Sequence, residues 1–486
     1  MSFDSLSTYV PKRLSLIVVI GLTLGIFSGH LQALEVGLSG LFELEASDNV
    51  FGANSPEEED GVIQSGVLGI YGEQKGARLT GAFSGELDTR KVSSGEDSLL
   101  DSVSRFSGAA EFKITPRSWT WYAGNILGGI RVDNAVQVID DADLERRNVF
   151  VTGPQFEYEQ QGISRTSARA LYVNQTEGSD NLETLYTASF RHERDLTSGS
   201  FYGVRLGNVF NDVPQDVDED QAELFADGDF NRSTLAAFYN QRIGFTNVFG
   251  ELGATRYDAD EESLNGFNAQ LRVTQELGPQ TSASAFVSRD LNDQSLSAVE
   301  SLIANNGTAT GVRPDAAGFF VETRLGAQYD YRSTDTTVVL AAGVATLDYD
   351  LLSSAARLAF DADVEDRTQG FASASWLQQL SLQLRSDLGV SFETQEFDNR
   401  PDNSESLLLR ASLIYQLNNS FELQFGVIND TASGLSTRLS AGGAVDADAA
   451  IETIDVTENR VIFGLRWSPP SRADRELIVE LQSLLE

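Results

Sequence analysis

Apolar and polar residues alternate along many stretches of the chain after residue 33. Residues 267–274, 382–393, 421–427 and 460–467 each carry apolar side chains at alternate positions. A period of two is typical of a β-strand with one apolar and one polar face. A helix of the same sequence would carry apolar residues all round its axis, and no later apolar run reaches the length of a membrane-spanning helix. The pattern therefore predicts an all-β fold.

The first 33 residues are predicted to be a secretory signal peptide. Lys12 and Arg13 precede an apolar run over residues 14–27, and the small residue Ala33 follows it shortly afterwards. A basic start, an apolar stretch and a small residue at the cleavage position are typical of exported proteins. We expect cleavage after Ala33. The alternative is an uncleaved membrane anchor, for which the run is short.

Short turns alternate with longer acidic connections along residues 34–467. Tight turns are predicted at 74–76 and 244–246, whereas 47–60 and 212–220 are rich in Asp and Glu. Outer-membrane barrels combine short periplasmic turns with longer external loops, whereas a soluble sandwich has no reason to segregate its loops by length. We therefore predict a closed antiparallel transmembrane β-barrel of about 20 strands in the bacterial outer membrane. The alternative count is 18 strands.

Composition argues against several classes of protein. The chain carries 72 acidic and 35 basic residues, a formal charge of −37, and nucleic-acid binders need clustered Lys and Arg instead. Cysteine is absent and the histidines are His30 and His192, so thiolate chemistry is excluded and a Ser-His-Asp site has little support. Residues 216–227 begin like a calcium loop, but Gln221 stands where a glycine is needed. We predict no enzyme activity, no cofactor and no metal site.

The polar faces of the predicted strands would line the inside of the barrel. Opposite charges on facing walls would orient polar solutes in a water-filled pore. The alternative is that these charges only neutralise one another in a packed lumen. Thirteen charged residues are the pore-lining candidates: Glu111, Arg191, Glu193, Arg205, Glu251, Arg272, Glu322, Arg324, Arg385, Asp387, Arg410, Glu422 and Arg466.

The predicted function is a porin-like channel that passes polar solutes. The alternative is a structural or adhesive surface barrel that transports nothing and binds ligands or divalent cations with its acidic loops. Two external segments, 292–315 and 348–366, carry apolar residues at the spacing of a short amphipathic helix, as in Leu296, Val299 and Leu302. We expect one of these segments to fold into the barrel mouth and constrict it, or else to pack on the outer rim.

Aromatic residues cluster near the short-turn ends of the predicted strands. An outer-membrane barrel carries an aromatic girdle at each membrane interface. The predicted members of the periplasmic girdle are Trp119, Trp121, Tyr122, Phe245, Tyr329, Tyr331, Trp376, Tyr415, Phe421 and Trp467.

Two motifs occur in the first quarter of the predicted barrel. Residues 40–51 end in Ser-Asp-Asn-Val-Phe before an acidic segment, and residues 115–121 form a Thr-Pro-Arg-Ser-Trp-Thr-Trp turn. Both resemble a family of outer-membrane β-barrel porins. Relatives of that family are linked to exopolysaccharide or capsule export. The resemblance therefore implies polysaccharide as a solute and polysaccharide export components as partners.

Residues 468–486 extend beyond Trp467, the last residue of the predicted barrel. Barrels of this kind usually finish on an aromatic residue, so the extension is a departure from the pattern. Leu477, Ile478 and Leu481 suggest a short amphipathic helix, predicted to be a periplasmic tail. The other expected partners are outer-membrane lipid, lipopolysaccharide and the barrel-assembly machinery.

Overall fold

The computed structural model of the chain consists of β-strands. The structure describes residues 34–50, 59–94, 97–115, 118–131, 144–160, 162–177, 180–197, 199–212, 230–259, 263–293, 308–309, 319–348, 366–398, 403–436 and 452–468. Across these ranges, no helix is long and apolar enough to cross a membrane.

Long strands follow one another in chain order, with one very short strand among them. They are β1 (Leu34–Ser47), β2 (Gly61–Lys75), β3 (Leu79–Ser94), β4 (Asp97–Thr115), β5 (Trp119–Arg131), β6 (Leu144–Gln160), β7 (Ser164–Glu177), β8 (Asp180–Thr197), β9 (Ser200–Asp212), β10 (Phe230–Ile243), β11 (Thr246–Ala259), β12 (Ser263–Gly278), β13 (Thr281–Asp293), β14 (Thr308–Ala309), β15 (Phe319–Arg332), β16 (Thr336–Asp348), β17 (Arg367–Gln379), β18 (Leu384–Phe397), β19 (Ser404–Asn418), β20 (Phe421–Ser436) and β21 (Glu452–Trp467).

The strands other than β14 form one closed antiparallel ring. Each pairs with its neighbour in the chain, and β13 pairs directly with β15. The ring closes where β1 pairs with β21 over Gly40–Ser47 and Arg460–Trp467. A closed ring has no unpaired sheet edge, which is the condition for a sheet to cross lipid. The prediction of a 20-strand barrel is therefore confirmed, and the alternative of 18 strands is wrong.

The outer surface of the ring is apolar. Along β1, Val36, Leu38 and Phe42 are exposed on one face, and along β21 Val461 and Phe463 are exposed on the same side. Because successive side chains of a strand point to opposite faces, the residues between them point inward. An exposed apolar belt around a closed barrel is the lipid-facing surface of an outer-membrane protein. The protein is therefore located in the outer membrane.

The periplasmic turns are tight, as predicted. Gly162, Gly199 and Gly244 lie in three of them with φ values of 69°, 79° and 61°, a backbone region that glycine occupies without steric cost. Trp119, Trp121, Phe245, Tyr329, Trp376, Tyr415 and Trp467 are exposed on the lipid-facing side near these turns. The assignment of Tyr122 to the girdle is wrong, because its side chain is 6% exposed and lies on the inner face, opposite Trp119 and Trp121.

Several strands extend further toward the external side than the alternation of apolar and polar residues predicts. The connections β3–β4, β7–β8 and β11–β12 consist only of residues 95–96, 178–179 and 260–262. Strand pairing continues there because it satisfies backbone groups whether or not lipid surrounds them. The predicted signal peptide (1–33), the tail beyond residue 468 and most of the segments 292–315 and 348–366 lie outside the described residues, and what the sequence predicts for them stays a prediction.

Candidate functional site

The thirteen pore-lining candidates all lie on the inner face of the ring. The placement follows from the outward neighbours of each residue: Phe190 is exposed to lipid, so Arg191 and the next alternate residue, Glu193, point inward. By the same reasoning, Glu111 points inward because its neighbour Phe112 is exposed to lipid, and Arg466 points inward because Trp467 is exposed to lipid. Whether these residues line a conducting pore remains a prediction.

One group of candidates forms tight ion pairs with buried carboxylates. Arg191 lies 3.1 Å from Glu193 and Arg205 lies 2.6 Å from Glu251, and the carboxylate side chains are almost covered. Arg324 is hydrogen-bonded to Glu322 in the same manner. These pairs sit on β8, β9, β11 and β15. In this part of the wall the charges neutralise one another, which agrees with the alternative prediction that the inner charges form neutral pairs.

A second group lies on the inner face of β17–β20, which we call the open wall. Arg385 lies 3.7 Å from Glu422, and Arg410 lies 3.8 Å from Asp387. These separations are too long for hydrogen bonds, and the Arg410 side chain is 54% exposed. The Arg410 guanidinium is therefore accessible from the lumen while it remains close to an opposite charge.

Three candidates have no ion pair among the described residues. Arg272 lies over the ring of Phe286 at 5.9 Å from the guanidinium carbon to the ring centroid. A cation held against an aromatic face keeps its charge uncompensated by a carboxylate. Glu111 and Arg466 have no opposite charge within ion-pair distance in the described part of the wall.

The inner face also carries an apolar patch that sequence reasoning missed. It spans β4–β8, and Val149 and Val173 within it are 0% and 1% exposed. A detectable signal was present, since residues 149–151 are Val-Phe-Val and break the alternation by placing apolar side chains on both faces. The members of the patch are Ala109, Tyr122, Ile126, Val149, Val151, Leu171, Val173 and Leu185.

The short strand β14 lies against the wall far from its own position in the chain. It pairs in parallel with β5, with Thr308 opposite Gly129 and Ala309 opposite Ile130. The β4–β5 ladder ends at Leu127, which leaves this edge of β5 open to a third strand. Of the chain between β13 and β15, these two described residues contact the wall at β5.

A polar network joins the first and last strands of the barrel, β1 and β21, beside the external mouth. Ser47 donates a hydrogen bond to Glu458 at 2.7 Å, and Arg460 lies 3.5 Å from Glu45. Asp48 accepts hydrogen bonds from the backbone and side chain of Asn459, both at 2.7 Å. The Ser-Asp-Asn-Val motif at residues 47–50 thus has a structural role, because it extends the β1–β21 seam beyond the end of the ladder.

His192 lies on the outward face of β8, away from the inner wall. Its Nδ1 is 2.8 Å from the Thr166 hydroxyl on β7, and the register pairs these two residues directly. No cluster of three potential metal ligands occurs in the part of the chain that the structure describes. The site that the geometry offers is therefore the inner wall itself.

No protein-family model and no curated protein matches this chain. Among solved structures, it is similar to the FrpB iron transporter from Neisseria meningitidis (F5-1 variant), with 9% identity, a TM-score of 0.48, and coverage of 90% of this chain and 83% of that one. It is similar to a mutant of the ferric enterobactin receptor PfeA from Pseudomonas aeruginosa, with 10% identity, a TM-score of 0.47, and coverage of 89% and 80%. For OccK2 (OpdF) from Pseudomonas aeruginosa, the identity is 12%, the TM-score 0.37, and the coverage 91% and 99%. At these identities the similarity concerns the barrel fold and says nothing of a solute.

Proposed function

We propose that the protein is a porin-like channel that carries polar solutes across the outer membrane. The observation that supports the proposal most strongly is the open wall, where charges of both signs lie on the inner face and remain exposed. A pore lined in this way lowers the cost of moving a charged or dipolar solute out of bulk water. A lumen lined throughout by buried, neutralised pairs would offer no such path.

Arg410 is the residue through which the proposal can be tested most simply. Its guanidinium carries five N–H donors, and no hydrogen bond within the described residues uses them. Water or the anionic group of a solute can therefore occupy those donors. Removing this one charge changes the field in the pore without leaving a buried carboxylate unpaired, because Asp387 is itself partly exposed.

We expect Arg410→Gln to shift the ion selectivity of the channel toward cations. The measurement is the reversal potential of the purified full chain in planar bilayers under a salt gradient. The matched control is Arg256→Gln, since Arg256 points outward from β11 and pairs with Asp258 at 2.7 Å. Equal reversal potentials for the two variants would show that the open wall does not line the ion path.

We further propose that the transported solutes include glycans, in keeping with the resemblance to porins linked to exopolysaccharide export. Phe371 on β17 supports this extension, because it is an aromatic residue that is 42% exposed on the inner face. Exposed polar residues, Ser373 and Ser391, lie beside it on the same face. A ring of this kind offers an apolar platform to the C–H face of a sugar, and hydroxyls beside it bind the sugar's polar edge.

We expect Phe371→Ala to weaken the block of ionic current by soluble oligosaccharides. The control is Leu377→Ala on the same strand and face, since Leu377 is exposed to a similar extent, 40%, but has no ring. Both substitutions shorten a partly exposed apolar side chain to a methyl group, and only Phe371→Ala removes a ring. If they change the concentration for half-maximal block equally, the ring has no specific role and the glycan proposal loses its support.

A further inference from the structure

We propose that the outer face of β8–β13 holds one molecule of lipopolysaccharide, with a phosphate group of the lipid on Arg289 and an acyl chain in a groove beside it. Contact with lipid in general follows from the apolar belt and surrounds the whole barrel. The proposal assigns one lipid molecule to one place on that belt. It goes beyond the proposed channel function and does not rest on it.

Arg289 carries an outward positive charge that no described carboxylate neutralises. It lies two positions after Val287 on β13, and Val287 is 41% exposed to lipid, so both side chains point outward. The Arg289 Nη1 donates a hydrogen bond to the Thr323 hydroxyl at 3.2 Å, and the guanidinium carbon lies 5.6 Å from the centroid of the Phe267 ring. Neither contact supplies a negative charge. Arg289 can therefore pair with an anionic group of the membrane without losing a carboxylate partner.

The depth of Arg289 matches the headgroups of the outer leaflet. β13 runs from the periplasmic turn toward the external side, and Arg289 follows Val287, the last exposed apolar residue of its outer face. The cost of a charge on the lipid-facing surface falls steeply toward the membrane interface. The outer leaflet of an outer membrane consists of lipopolysaccharide, whose headgroup carries phosphates. A guanidinium binds phosphate with charge-assisted hydrogen bonds, so the charges are complementary.

A groove lies on the outer face next to Arg289. Its volume is about 560 Å³, and its lining extends from Asn265 on β12 to Ala188 on β8. Small side chains such as Ala188 and Ala254 lie between the larger Leu206 and Leu235, which leaves the depression. Phe267, the ring beneath the Arg289 guanidinium, lies two positions after Asn265 on the same strand. The groove thus begins beside the proposed phosphate contact and offers an apolar floor to an acyl chain.

The groove descends from the headgroup level into the apolar belt. One row of cross-strand partners joins Asn265, Arg256, Ser233, Asn208 and Ala188, from β12 to β8. At β12 and β11 this row consists of polar residues at the external edge of the belt. At β8 the row lies below Tyr186, which is nearer the external side and 47% exposed. An acyl chain that enters at β12 therefore reaches the interior of the belt at β8.

The groove also carries an unused hydrogen-bond acceptor. The Asn208 Nδ2 donates to the Asn231 Oδ1 at 2.7 Å and to the Ser233 hydroxyl at 3.0 Å. Within the described residues, the Asn208 Oδ1 accepts no hydrogen bond. Lipopolysaccharide has amide and hydroxyl donors beside its acyl chains, whereas the ester-linked acyl chains of a phospholipid have none. The acceptor therefore favours lipopolysaccharide over a phospholipid as the occupant.

Lipid binding by the purified full chain tests the site. Folded protein in detergent is titrated with short-chain lipopolysaccharide, and native mass spectrometry counts the bound molecules. Arg289→Gln removes the charge, and its control is Lys91→Gln, an exposed outward cation on β3, far from the groove. Ala254→Phe fills the groove, and its control is Ala237→Phe, an exposed outward alanine that does not line the groove. Lipopolysaccharide stripped of its phosphates and phosphatidylglycerol are the two comparison lipids.

We expect one tightly bound lipopolysaccharide per chain. Arg289→Gln and Ala254→Phe should each raise the half-saturating concentration about tenfold, the loss expected for one charge-assisted hydrogen bond or a filled apolar site. The two control variants should bind as the unaltered chain does. Removal of the lipid's phosphates should weaken binding to the unaltered chain and abolish its difference from Arg289→Gln.

Three results would overturn the proposal. Equal binding by Arg289→Gln and Lys91→Gln would remove the phosphate contact, and equal binding by Ala254→Phe and Ala237→Phe would remove the groove. Phosphatidylglycerol that displaces lipopolysaccharide at equal concentration would show a general site for anionic lipid. The two comparison lipids are tested on the unaltered chain, so they decide the matter even where a variant does not fold. Because binding is measured without current, these results are separate from the test of the channel.

Discussion

Tyr71 and Gly37 show how single residues shape the inner wall. Tyr71 is buried although it points inward, and its ring lies where a Cβ at Gly37 would be, 2.1 Å from the Tyr71 Cζ. The two residues are opposite one another in the β1–β2 ladder. The absence of a side chain at Gly37 therefore lets the ring lie flat against the neighbouring strand, which packs the wall without filling the lumen.

We expect Gly37→Ala to destabilise the barrel by about 1–3 kcal/mol, because the added methyl group displaces a buried ring. The control is Gly40→Ala on the same strand, where the nearest atom to an added Cβ is 3.7 Å away. The measurement is the denaturant concentration at which half of the protein is unfolded, and the gel mobility of unheated samples reports the folded fraction. Equal midpoints for the two variants would contradict this account of Tyr71.

At the residue scale, the alternation of apolar and polar residues predicts whether a side chain points inward or outward, but it does not predict how deeply that side chain is buried. It assigns all thirteen charged candidates to the face that lies away from the exposed apolar residues, and it places Arg205 and Glu251 on the same face. It does not separate Glu251, which is buried in an ion pair, from Asp387, which is partly exposed. That difference depends on strands and connections that are remote in sequence. The assignment of Tyr122 to the aromatic girdle is wrong for a related reason, since a position near a turn does not determine whether a side chain points toward lipid or toward the lumen.

At the scale of the strands, the seam between β1 and β21 has the shortest ladder of the ring. The β1–β21 ladder covers only Gly40–Ser47, whereas β20 and β21 pair along their whole length. The hydrogen bond from Ser47 to Glu458 adds to this short ladder, and both side chains are buried. A buried carboxylate that loses a donor keeps its desolvation cost, so the seam is sensitive to this contact.

We predict that Ser47→Ala lowers stability by about 1–3 kcal/mol, since the buried Glu458 carboxylate loses its hydroxyl donor. Heat modifiability on gels gives the temperature at which half of the protein has unfolded. Ser391→Ala is the control, because Ser391 is exposed and no hydrogen bond within the described residues involves its side chain. A midpoint for Ser47→Ala that matches the control would mean that the seam does not limit stability.

The number of strands and the tight turns could be predicted because both depend on short-range sequence patterns. The turns follow from glycine at Gly162, Gly199 and Gly244, and the strands follow from their period. The extension of β20 to Ser436 could not be predicted, because it is stabilised by pairing with β21 rather than by its own alternation. The pairing of β14 with β5 was also missed, since two residues carry no periodic signal.

At the scale of the whole molecule, the barrel has two unlike inner walls. The β4–β8 wall carries a buried apolar patch, while the β17–β20 wall is charged and partly exposed. The formal charge of −37 does not describe the lumen, where ten of the thirteen charged candidates lie in pairs of opposite charge. Many of the remaining carboxylates are in external connections such as 213–229. The selectivity of a channel of this design would follow from the open wall rather than from the overall charge.

The central claim is that this barrel conducts through a hydrated lumen, and single-channel recording tests it most directly. Purified full-length protein, shown to be folded by its gel mobility before heating, is added to planar lipid bilayers. We predict discrete current steps whose size rises in proportion to the bulk conductivity of the electrolyte, as expected for a water-filled pore. Folded protein that inserts into the bilayer and yields no current steps would contradict it.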